Sequence, residues 1–204
     1  MFCFHLFTLA LALVFYLTLN LNLSLNLNLN LNLYIGGRRL NKPLENFLQE
    51  KKPGILKKWF HLLLEPYPLE AKRFWATTQD PFRNPVGSTF STGLDDLFDA
   101  LLRGESPERM AQLLDSLVRI RAVQGFSPPQ AISFVSSIKG IIREELKKEA
   151  LGHTLFEELG DFDTKVDHLA LRAFDFFTEC RRQIQELQRR ELGSRAILGG
   201  GRNR

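Results

Sequence analysis

Cysteine is scarce in this 204-residue chain: Cys3 stands near the start and Cys180 stands alone near the end. Two isolated thiols build neither a disulfide framework nor a paired thiolate metal site, and a reducing compartment suits them. Acidic residues are missing altogether from the first 41 positions. No G-x-S-x-G, P-loop, H-E-x-x-H or C-x-x-C motif occurs, so no catalytic chemistry is expected. Basic surplus is also absent where a nucleic-acid partner would need it. The formal charge of +4 comes from Arg38 and Arg39 at one end and from Glu191, Arg195, Arg202 and Arg204 at the other. Residues 42–190 are therefore neutral, and no nucleic-acid binding is expected of them.

What the first 40 residues do contain is unlike the rest. Residues 1–19 are apolar apart from His5 and two threonines, and residues 19–33 alternate Leu with Asn almost without exception. A secretory signal would want a positive leading region and a small-residue cleavage site, and both are lacking. A strict Leu-Asn run is what a short DNA repeat gives when translated, so the genuine start is expected near Leu40. Two other readings stay open: a membrane anchor over residues 1–20, with Arg38-Arg39 as its cytoplasmic flank, and a soluble period-two strand. The division expected is a low-complexity Leu/Asn-rich segment over 1–40, a helical domain over 41–192 and a disordered tail over 193–204.

From Leu40 onward the apolar spacing is helical. Pro43 and Pro53 suit first-turn positions, which predicts one short helix to about Lys51 and a second from Pro53 carrying Ile55, Leu56, Trp59, Phe60, Leu62, Leu63 and Leu64. A helix from Pro68 to about Thr77 should set Phe74 and Trp75 against the core. Gln79 to Gly87 reads as a loop, with Ser88 or Thr89 capping a helix that ends at Gly104. On that helix Asp95, Asp96 and Asp99 face away from the apolar side and should be solvated. Ser106-Pro107-Glu108 begins the next helix, and Ala131 to Leu146 supply another long apolar face. The last helix, Asp161 to about Leu192, repeats Val166, Leu169, Ala173, Phe176 and Cys180 in heptad-like steps. That seam either packs on the chain's own core or pairs with a second copy. Asp161, Lys165 and His168 belong to a stripe expected to face solvent.

The stretch Asp115 to Gln130 joins two of these helices. Met110, Leu113, Leu114, Leu117, Ile120 and Gln124 line one face, and Asp115 and Arg119, four apart, can form an ion pair. Arg121 falls on the apolar side. It is either a rim residue with its stem along the core, or a buried cation holding a loop carboxylate such as Asp80 or a ligand anion. Gly125 ends the first helix and Ser127 caps the second. Asn84, Asp115, Arg119, Arg121, Gln124 and Ser127 are the candidate polar cluster, read either as a recognition site or as a network tying the 79–87 loop to this junction.

Four segments together, ILKKWFHLLLEPYP from Ile55, DPFRNPVG from Asp80, LDSLVRIRAVQGFSPPQA from Leu114 and VDHLALRAFDFFTECRRQI from Val166, resemble the N-terminal domain of the RsbR/RsbRD-type co-antagonists of bacterial stressosome signalling. The resemblance implies an all-α, globin-like, haem-free sensory domain, usually a homodimer, without catalytic residues. A STAS domain follows it in the best-known members, and this chain has no room for one before Arg204. Two outputs stay open for such a chain in the cytoplasm: a STAS-domain or kinase partner in trans, or a different output altogether. A globin-like fold raises haem, but His61 lies on a polar strip, His168 on a charged stripe and His153 in a connector, so no cofactor or metal is expected. The other function open at this point is a membrane-anchored accessory subunit of an anaerobic sulfur or redox complex, held at the inner membrane through residues 1–20.

Overall fold

A computed structural model of the chain describes residues 40, 42–78, 80–149, 155–156 and 158–199. Among these residues six helices follow in order: α1 (Lys42–Leu64), α2 (Leu69–Thr77), α3 (Pro85–Arg103), α4 (Pro107–Val123), α5 (Pro128–Leu146) and α6 (Leu159–Gly199). No strand occurs among the described residues, so the fold is all-α, as the spacing predicts. Leu40, counted with the N-terminal segment from sequence, is buried in the core. Residues 1–39, including the Leu-Asn run and the region of a membrane anchor, lie outside the described residues. No helix among those described is long and apolar enough to cross a membrane.

The helices close into a ring: α1 packs on α5 and α3, α3 on α4, and α6 lies across both α4 and α5. α2 sits against α3 outside the ring. One contiguous apolar cluster fills the centre, drawn from every helix. Trp59 is its largest fully buried side chain, and its indole N–H donates to the Phe134 carbonyl at 2.7 Å, tying α1 to α5. Such a bond removes the penalty a buried indole would otherwise carry.

α1 corrects the expectation of two helices. It runs unbroken through Pro53, although an interior proline gives up a helical hydrogen bond at a cost of roughly 3 kcal/mol. The reason is burial in phase. Leu44, Leu48, Ile55, Trp59 and Leu63 share one face across the proline and are all buried. Each such side chain contributes about 1.5–3 kcal/mol, so continuity wins.

α3 begins three residues earlier than the serine cap expected from sequence. Asn84 is the cap: its side-chain oxygen accepts from the Gly87 N–H at 2.9 Å, while its amide donates to the carbonyls of Trp75 at 3.1 Å and Thr78 at 2.7 Å. Gly87 is needed because a Cβ there would lie 2.4 Å from that anchored amide. On α2, Trp75 is buried as expected, whereas Phe74 turns outward.

α6 starts two residues before Asp161 and continues to Gly199, past the Leu192 boundary expected from sequence. Its buried row is Leu159, Phe162, Val166, Leu169, Ala173, Phe177 and Cys180. Phe177 takes the place that strict heptad spacing gives to Phe176, because a straight helix drifts ahead of a 3.5-residue repeat. Phe176 is half-buried, with the Arg172 guanidinium 5.3 Å from its ring. Lys165, expected on the solvated stripe, is buried; burial lowers its pKa and Asp161 opposes that shift.

Candidate functional site

The α4–α5 junction is built around Arg121. As the only fully buried arginine among the described residues, it is neither a rim residue nor the partner of a loop carboxylate. Its two terminal nitrogens donate to the carbonyls of Leu63 and Gln130, each at 2.6 Å. Leu63 belongs to the last turn of α1, where carbonyls lack a helical donor and the helix dipole favours a cation. Three aromatic rings surround the guanidinium: Phe126 at 5.1 Å, Tyr67 at 5.3 Å and Phe134 at 5.6 Å. Their negative faces replace part of the lost hydration. Nε finds no hydrogen-bond partner. Burial lowers the Arg121 pKa and raises that of Tyr67, each drawn back by the other's proximity. Asp80 lies elsewhere, exposed, accepting from the Phe82 N–H at 2.9 Å.

The remaining cluster residues separate into two groups. Gln124 accepts from the Tyr67 hydroxyl at 2.5 Å, and Tyr67 stacks edge-on with Trp75 and Phe126 at 4.7 and 4.8 Å. Ser127 donates through its backbone N–H and hydroxyl to the Gln130 side chain at 3.2 and 2.9 Å. Gly125, at φ 79°, makes the turn between them. Asn84 joins this group only through Trp75, whose carbonyl it holds. Asp115 and Arg119 form the expected ion pair at 2.6 Å but stand apart, towards α6, where their charges act on Cys180. Cys180 itself is buried, and burial raises its pKa. Of the seam, Val166, Leu169, Ala173 and Cys180 pack inside this chain's own core.

Tyr67, Phe126 and Phe134 were not singled out from sequence as site residues. Tyr67 between two prolines, and Phe126 beside the Gly125 turn, were the signals available. Asp95 and Asp99 are not simply solvated, since Lys52 of α1 bridges them at 2.9 and 2.6 Å. Among the described residues, no group of three or more His, Cys, Asp or Glu side chains is placed to hold a metal ion. His61 is exposed, His168 is half-buried on α6 with an unpartnered Nδ1, and His153 lies outside the described residues.

A second feature lies between α1, the end of α2 and the first half of α3. It is an open cleft of about 610 Å³, within the range of small-molecule sites. Leu56 and Phe60 form one wall and Trp75 another, while α3 presents Ser88, Ser91 and Thr92.

No curated protein and no solved structure matches this chain. Residues 53–192, which contain the Arg121 junction, the cleft and most of the helical ring, match the family described as the RsbT co-antagonist protein RsbRD N-terminal domain, and the chain belongs to that family.

Proposed function

We propose that this chain is a non-catalytic sensory or regulatory interaction module of bacterial stress or redox signalling, acting through a dimer or through a partner in trans. Its membership of a family described as a co-antagonist domain supports a role exerted on other proteins rather than on a substrate. The globin-like arrangement and a STAS-domain or kinase partner belong to the same proposal.

The observation that carries the interaction reading is α6. Its first half is buried against α4 and α5, but residues 187–192 are exposed. Ile184 and Leu187 continue the seam beyond Cys180 at steps of four and three; Ile184 still packs against the core, and at Leu187 the seam is exposed. A lone helical extension of this kind is marginal in water and gains most from a partner helix. Leu171 and Phe174 are also exposed, on other faces of the packed half.

Light scattering tests the dimer. The expected result is twice the chain mass at micromolar concentration, returning to the single mass in Leu187→Asp. A single mass for the unaltered chain up to 100-fold higher concentration, on the order of the range where weak helix pairs form, overturns the dimer. Affinity capture from the native host then decides the second arm: a recovered STAS-domain protein or kinase supports it, and a catalytic substrate complex overturns it.

A further inference from the structure

The cleft between α1 and α3 has an unbalanced charge. Three of the four lysines on this part of α1 are paired: Lys51 with Glu149 at 2.8 Å, Lys52 with Asp95 and Asp99, and Lys58 with Glu145 at 2.8 Å and Glu144 at 3.2 Å. Lys57, the one that lines the cleft, makes no ion pair with a described residue. The cleft's carboxylate, Asp95, shares Lys52 with Asp99, which Arg103 also pairs at 3.1 Å, so these two carboxylates and two cations cancel. One positive charge is left over.

The hydroxyls are also unspent. Thr89, on the neighbouring face of α3, returns its hydroxyl to the Pro85 carbonyl at 2.8 Å, as helical threonines commonly do. The hydroxyls of Ser88, Ser91 and Thr92 have no hydrogen-bond partner among the described residues. Leu56 and Phe60 of α1 and the largely buried Trp75 of α2 also line the cleft. Free donors on α3 and one free cation on α1, set among these apolar side chains, are the complement of a molecule with a single acidic head and a greasy body.

We propose that this cleft binds a small amphipathic monoanion, its acidic group held by Lys57 and the hydroxyls of α3, its apolar body lying on Leu56, Phe60 and Trp75. The site adjoins the Arg121 junction through Trp75 and Asn84 but is separate from the α6 surface, so it stands or falls without the dimer.

Anilinonaphthalene sulfonate is a suitable probe, because phenylnaphthylamine offers the same rings without the charge. Titration of the full chain, read as probe emission sensitised by tryptophan, should saturate, and the neutral analogue should bind roughly tenfold more weakly. Lys57→Glu should weaken the sulfonate by roughly tenfold or more. Ser91→Phe, which fills the slot, should abolish the saturable signal. Both side chains are exposed, so thermal melts matching the parent confirm that the variants fold; Lys57→Gln, which removes charge alone, serves if either does not. No saturable binding at millimolar probe, equal affinity for the neutral analogue, or unchanged affinity in Lys57→Glu or Ser91→Phe would each overturn the proposal.

Discussion

At the level of single residues, Arg121 shows how a cation is kept inside a core without a carboxylate. The carbonyl of Leu63 would otherwise be an orphan at the end of α1, and Gln130 supplies a second acceptor from the start of α5. One side chain therefore fastens the end of one helix to the beginning of another, with Tyr67, Phe126 and Phe134 excluding water around it. Arg121→Ala should cost about 3–5 kcal/mol, since it leaves a cavity and buried acceptors without their donor. Arg121→Met, which keeps most of the volume, should recover part of that loss, and urea denaturation midpoints measure both. Only half of this arrangement was legible in the sequence. The position of Arg121 on an apolar face announced that its charge needed company. Its partners are main-chain oxygens, whose placement depends on how helices cross and not on which side chains they carry.

At the level of elements, spacing identified nearly every helix, and punctuation misplaced several ends. Pro53 is the clearest case: a local signal for a helix start was overruled by an apolar face that keeps its phase on both sides. Asn84 is the converse. Its capping role was hidden because Ser88 and Thr89 are equally good caps in sequence, and only the carbonyls of Trp75 and Thr78 make the asparagine decisive. α1 retains a removable weakness beside its proline. Gly54 is exposed and a Cβ there would meet nothing within 4 Å, so Gly54→Ala should raise stability by about 0.5–1 kcal/mol, seen as a higher thermal midpoint.

On the scale of the whole molecule, the neutrality of residues 42–190 reflects charges laced between helices. Lys52 links α1 to α3, Lys58 links α1 to α5, and Lys139 and Arg143 link α5 to Asp167 and Asp163 of α6. Most of these pairs are partly exposed, so each adds little alone and is weakened by salt. Glu145 is the most enclosed carboxylate among them. Hydrogen bonds from Lys148 and Lys58 hold its pKa below the ordinary glutamate value of 4.5. Its contribution to stability is therefore complete above that value and is lost as pH falls through the lower, folded one. Denaturation midpoints measured from pH 7 down to 3 should fall less steeply in Glu145→Gln than in the parent.

The ring also gives α6 a mechanical property. Its covered part and its exposed stretch over residues 187–192 belong to one rod, and the 19 residues beyond Cys180, to Gly199, extend about 28 Å at 1.5 Å per residue. A tilt of about 5° where α4 and α5 grip it would swing the far end by roughly 2.5 Å. Small repacking inside the bundle thus becomes a displacement at its tip that another molecule could feel.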